Sequence, residues 1–176
     1  MWVPVWVEAW QQQCCGTEFA VGDEVRWTLV ESDDLLRRLL GDGYPRWAPE
    51  LALDRTTMLR DGDTMWVVRR RGGLTVNVPE ADEHPATPRR VALPTEEHHG
   101  HAPEGAVRTT GTVRRIRITY CRYVPIDGSS NVFAPAPGSA TFKDAPSAVS
   151  WPAEDDEHHF SGLLVDLDVA DAGVPV

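Results

Sequence analysis

Three short groups of residues in this chain have the types and spacing to do chemistry. The first is the vicinal pair Cys14-Cys15 ahead of Gly16, with His98-His99-Gly100-His101 as a second cluster and Glu96 and Glu97 beside it. Two thiolates and one or two imidazoles suit zinc, and the carboxylates can serve as oxygen ligands or as partners of the histidines. The candidate metal ligands are therefore Cys14, Cys15, His98, His99 and His101. The spacing argues against them. Structural zinc sites usually take cysteines two to four residues apart, and adjacent residues of a strand point to opposite faces. Only a turn at Gly16 converges the two thiols. The plainer reading is one buried thiol, one half-exposed thiol and a solvated His/Glu loop. His158-His159 in the acidic segment is a weaker case of the same kind.

The second group is cationic. Arg108, Arg114, Arg115, Arg117 and Arg122 follow one another with no acid between Gly105 and Val124, and Arg69, Arg70 and Arg71 adjoin a turn. On a small barrel they can form one basic face for nucleic acid, with Tyr120, Tyr123 or Trp66 as stacking platforms. The acidic C-terminal third offers the competing explanation, which is internal pairing. The third group is aromatic: seven tryptophans, three of them Trp2, Trp6 and Trp10 at the start of the chain. Tryptophan and arginine are favoured anchors of interfaces. The preferred expectation is a non-enzymatic binding or accessory module that meets a protein partner or a second copy of itself. Its contact residues are Trp2, Trp6, Trp10, Arg114, Arg115, Arg117, Tyr120 and Arg122. A nucleic-acid-binding barrel and a zinc protein are the alternatives, and no other cofactor is expected.

Catalytic signals are sparse. No family-type signature surrounds Cys14, Cys15 or Cys121, and neither a Gly-x-Ser-x-Gly elbow nor a phosphate loop is present. Asp166 and Asp168 share a strand face, as a carboxylate pair would, but alternating Asp on an edge strand is the commoner pattern.

The bulk composition sets limits. The chain has 176 residues and a net charge of −10, spread unevenly: Asp144 to Val176 holds eight acids and no Lys or Arg. Sixteen of its 17 Lys and Arg residues are arginines. No run approaches 18 apolar residues, so no membrane span is expected. The apolar start lacks a basic flank and a cleavage site of small residues. Adjacent Cα atoms lie about 3.8 Å apart, below the usual ~4.4 Å minimum for a disulfide. All three cysteines are expected as free thiols in a reducing cytoplasm.

The elements that must position these residues are mostly strands. Val3, Val5, Val7 and Ala9 share one face of an opening strand over the first ten residues, and the tryptophans share the other. Phe19 to Val30 reads as a turn at Gly22-Asp23 feeding a strand. Ser32–Leu40 is the one clear helix, with Leu35, Leu36, Leu39 and Leu40 on one stripe. Thr64–Val78 reads as a hairpin turning at Gly72-Gly73. Residues 79–105 form a long proline-rich loop, with a short strand at 90–93. Residues 111–124 are the strongest strand. Val113 and Ile116 fall on opposite parities, which predicts a bulge near Arg114–Arg115. Residues 125–157, rich in proline and ending in acids, read as irregular and poorly packed, and 158–176 as a final strand and tail. The fold class expected is mainly β: a small antiparallel barrel or sandwich, OB/SH3-like in size, with one short helix and long Pro-rich loops. Residues 1–124 would form a barrel-like core, with 125–157 and 158–176 added to it.

The run Trp10-x3-Cys14-Cys15-Gly16-x2-Phe19-x-Val21-Gly22-Asp23-x-Val25-x-Trp27, with Gly111-x-Val113-x2-Ile116 later, resembles a domain-of-unknown-function family of high-GC bacteria. The resemblance implies a shared fold and makes the Cys-Cys-Gly block a family feature. It implies no activity, substrate or partner.

Overall fold

The computed structural model describes residues 1–31, 34–46, 48–80, 89–126 and 132–171. Strand β1 (Trp2–Glu8) leads into helix α1 (Ala9–Cys15), then β2 (Glu24–Glu31), α2 (Asp34–Leu40) and a 3-10 turn at Gly41–Gly43. Next come β3 (Glu50–Asp61), β4 (Thr64–Arg71), β5 (Leu74–Glu80), β6 (Arg89–Arg90) and β7 (Pro94–Glu96). The last five strands are β8 (Arg108–Cys121), β9 (Tyr123–Pro125), β10 (Phe133–Pro135), β11 (Thr141–Ala145) and β12 (His159–Val169).

The protein is mainly β, built on a large mixed sheet. Its order is β11-β8-β12-β1-β7-β2-β5-β4-β3-β6, with a further ladder between β8 and β2. The ladders thus run from β8 through β12, β1, β7 and β2 and return to β8. Two contacts are parallel, β1 with β7 and β2 with β5. The expected purely antiparallel arrangement is corrected by these, because β7 enters from the long 79–105 connection and no hairpin fixes its direction.

Several expectations meet the structure directly. The 64–78 hairpin forms. The bulge falls where the parity change placed it: Leu167 opposes Val113 and Asp166 opposes Arg115, leaving Arg114 as the extra residue. The helix near 32–40 is present as α2; Ser32, its expected cap, lies outside the described residues. The expectation of one helix is corrected to two. The opening strand stops at Glu8, where Val-Pro-Val-Trp-Val gives way to Ala-Trp-Gln-Gln-Gln, a run of better helix formers without β-branching. The 125–157 stretch carries strands: β9 pairs with β10, and β11 pairs with β8 from Thr141 to Ala145. Its five prolines stand at 125, 135, 137, 146 and 152, so the run between 138 and 145 keeps all its ladder donors. The short strand expected at 90–93 splits into β6 and β7 on either side.

Alternation sorts the core into two clusters on opposite faces of the central strands. Val3, Val5 and Val7 join Leu163, Val165, Leu167 and Val169, with Val113 and Ile116 of β8, in the larger cluster. Trp6 and Leu164 face the other way and meet Leu36, Leu39 and Leu40 of α2 and Leu93. β1 is apolar on both faces because it is interior, flanked by β12 and β7. β12 is interior as well, so Asp166 and Asp168 do not guard an edge as expected.

Candidate functional site

Parallel pairing of β1 and β7 through Trp6 and Thr95 sends both chains out at the same end of the sheet. α1 begins immediately after β1, and the His98–His101 loop begins just after β7. Sequence-distant Cys14-Cys15 and His99 therefore meet. On the helix, adjacent residues are rotated by about 100° and not by 180° as on a strand, so two neighbouring thiols can share a side. This corrects the strand-based objection to the pair. Cys15 Sγ lies 2.7 Å from His99 Nε2. The ligand atoms of Cys14, Cys15 and His99 all lie within 4.8 Å of one another, and all three residues are exposed. The three cysteines are free thiols.

A layer of buried groups holds this cluster. Glu97, 5% exposed, accepts the Gln11 Nε2 hydrogen bond from α1 at 3.2 Å. Its other oxygen accepts the backbone N–H of His99 at 2.5 Å. It also meets His101 Nδ1 at 3.3 Å. One carboxylate thus ties the helix to the loop and fixes where His99 stands. Glu96 meets His98 Nδ1 at 2.7 Å. Trp10 rests on the imidazole of His99, ring centroids 4.6 Å apart, with His101 at 6.2 Å on an edge. Gly16 is needed for close approach: a Cβ there would sit 2.5 Å from Gln12 Oε1. A cleft alongside is lined by Gln12, Cys15, Glu96, His98, Trp27 and Arg108.

The charges around the cluster act on Cys15 and on Glu96. Desolvation pushes the Cys15 thiol up, helped by the hydrogen bond and charge of Cys14 and by the charge of Glu96. It also sits at the C-terminal end of α1, where the peptide dipoles favour a cation over a thiolate. A metal ion bound there would supply positive charge and displace the thiol protons. Glu96 is likewise raised, by burial first, against the lowering effect of His98.

Of the five sequence-expected metal ligands, Cys14, Cys15 and His99 come together. His98 and His101 turn their Nδ1 atoms to Glu96 and Glu97. The sequence reading missed Gln11, Gln12 and the tethering role of Glu97; the i, i+1 glutamines of α1 carried no signal without the helix. His158 and His159 lie apart, against Asp155 and Glu154.

The expected arginine face is occupied. Arg114 meets Asp168 at 2.8 Å and Arg117 meets Asp166 at 2.8 Å, both acids on the neighbouring β12. Arg115 takes Asp144 of β11 through Nε at 2.6 Å and Nη2 at 3.0 Å. Tyr120 is partly buried against the larger core cluster, and Arg122 is exposed beyond the end of β8. The three tryptophans separate: Trp6 is fully buried, Trp2 is exposed on β1, and Trp10 belongs to α1.

A family model matches residues 1–169, nearly the whole chain. The chain belongs to DUF6578, a family of unknown function. No curated protein and no solved structure matches it. Among the described residues of this DUF6578 chain, no helix is long and apolar enough to cross a membrane.

Proposed function

We propose that this DUF6578 protein binds a thiophilic divalent cation, zinc foremost, through Cys14, Cys15 and His99. The observation that carries the reading is the convergence of those three ligand atoms within 4.8 Å. Two sulfurs and an imidazole nitrogen are the donor set that zinc prefers. The buried Glu97 that fixes the histidine loop is the outer support such sites use. Cobalt(II) titration of the purified chain tests it. Sulfur-to-cobalt charge-transfer absorption is expected, lost on Cys14→Ser, Cys15→Ser or His99→Ala and displaced by zinc. Its absence, or its persistence in both serine variants, overturns the reading.

The protein-partner reading rested on the arginine run and the opening tryptophans. With Arg114, Arg115 and Arg117 each meeting an aspartate and Trp6 in the core, four of the eight contact residues it named are already engaged. The same ion pairs weaken the nucleic-acid reading of that strand.

A further inference from the structure

The start of β1, at the end remote from the cysteines, borders a second cleft. Trp2, Pro4, Pro45, Arg46, Arg71 and Arg117 line it. Two turns and the start of β1 build it. Arg71 ends β4 at the Gly72-Gly73 hairpin, which is held down by the Gly73 N–H on Ala170 O at 2.8 Å. A Cβ on Gly73 would stand 2.9 Å from that oxygen, so the approach needs glycine. Arg46 follows the 3-10 turn closed by the Tyr44 N–H on Gly41 O at 3.1 Å. Trp2 stands 65% exposed beside them.

Among the described residues some surface arginines, Arg70, Arg89, Arg90, Arg114 and Arg115, are paired with carboxylates, and others, such as Arg26, Arg60 and Arg122, form no ion pair. Arg46 and Arg71 form no ion pair among the described residues. Arg117 gives one arm to Asp166 while its Nε is buried without a partner. Arg46, Arg71 and Arg117 thus line the cleft together with Asp166 and Asp171, in a chain of net charge −10. Guanidinium forks match phosphate oxygens, and an open indole face takes a planar ring. Pro4 and Pro45 line the same cleft and add apolar surface without side-chain entropy to lose.

We propose that this cleft binds a single nucleotide, its base stacked on Trp2 and its phosphate held between Arg46 and Arg71. The proposal is independent of the metal centre. Titration calorimetry of the full chain with adenosine 5′-monophosphate tests it. One nucleotide per chain is expected, with affinity falling as salt is raised. Trp2→Ala and the pair Arg46→Ala/Arg71→Ala should each weaken it about tenfold or more. Trp2→Phe, which keeps a ring, should recover most of the loss, while Cys14→Ser should leave it unchanged. Adenosine and inorganic phosphate should each bind far more weakly than the nucleotide. The proposal fails if phosphate alone binds as well as the nucleotide, or if Trp2→Phe loses as much as Trp2→Ala. It fails also if only a single-stranded hexa-adenylate binds, or if no heat is seen.

Discussion

Side chains outside the Cys/His cluster decide where its members stand. Glu97 never reaches the sulfurs in this arrangement, yet it accepts hydrogen bonds from Gln11 on one side and from the His99 backbone on the other. Removing it should loosen His99 and leave the distant core intact. Glu97→Ala is expected to weaken cobalt affinity by about tenfold to a hundredfold, the usual effect of removing an outer-shell partner. Far-ultraviolet circular dichroism of the same variant should match wild type. Glu97→Gln keeps the acceptor for the backbone N–H and should fall between the two. Gly16 offers a steric test. A methyl at position 16 meets Gln12 Oε1, Cα and Cδ, two of the three belonging to a side chain that is 2% exposed. Gly16→Ala should therefore displace the end of α1 and reduce cobalt affinity, read from the same charge-transfer band. Equal affinity would mean that Gln12 can step aside. Neither Glu97 nor Gly16 could be ranked by sequence: glutamates beside histidines read as ligands or solvated charge, and a glycine after two cysteines read as a turn.

At the scale of elements, the bulged β8 and its neighbours form a charge ladder. The bulge frees Arg114 to reach Asp168 while Arg117 reaches Asp166 and Arg115 turns to Asp144 on β11. The Asp168 carboxyl lies below its ordinary value, chiefly through the Arg114 hydrogen bonds and then through the amino group of Met1. Asp144 is lowered in the same sense by Arg115. A carboxyl whose folded value is depressed binds protons less readily folded than unfolded. Its contribution is full above the ordinary carboxylate value and is lost as pH falls through the folded one. Melting temperature should therefore fall as pH drops from about 6 to about 3, and Asp168→Asn should make that fall shallower. A variant with the wild-type slope would show that this pair carries no linkage. The bulge itself was legible, because Val113 and Ile116 cannot share a face in an unbroken strand. The acids that answer the arginines were not, since strand order decides which carboxylate lies across the ladder.

For the whole molecule, stability rests on strands buried on both sides. Trp6 is fully buried and packs with Leu36, Leu39, Leu40, Leu93 and Leu164, which joins the sheet to α2. Trp6→Ala should cost about 3–5 kcal/mol in urea unfolding, as large aromatic deletions do. The indole N–H has no partner among the described residues, so Trp6→Phe should cost much less than Trp6→Ala. Similar losses for both would place the value of Trp6 in its N–H and not in its bulk.

Local pattern was enough for the mainly β class, the α2 stripe of Leu36, Leu39 and Leu40 though not its expected fourth member Leu35, which is exposed, the hairpin at Gly72-Gly73, the bulge near Arg114 and the free thiols. Each rests on steric or periodic rules that act within a few residues. The end of β1 at Glu8 was missed, since valine, proline and tryptophan favour a strand until the glutamines take over. Tertiary structure alone decided the site. Parallel pairing of β1 with β7 brings Cys14 and Cys15 to His99 across a separation of 84 residues between Cys15 and His99. It likewise set Arg46 and Arg71 beside Trp2, and placed Asp166 and Asp168 against arginines. Such contacts depend on strand order and direction, which are fixed by the burial of both faces of the sheet and by no local preference.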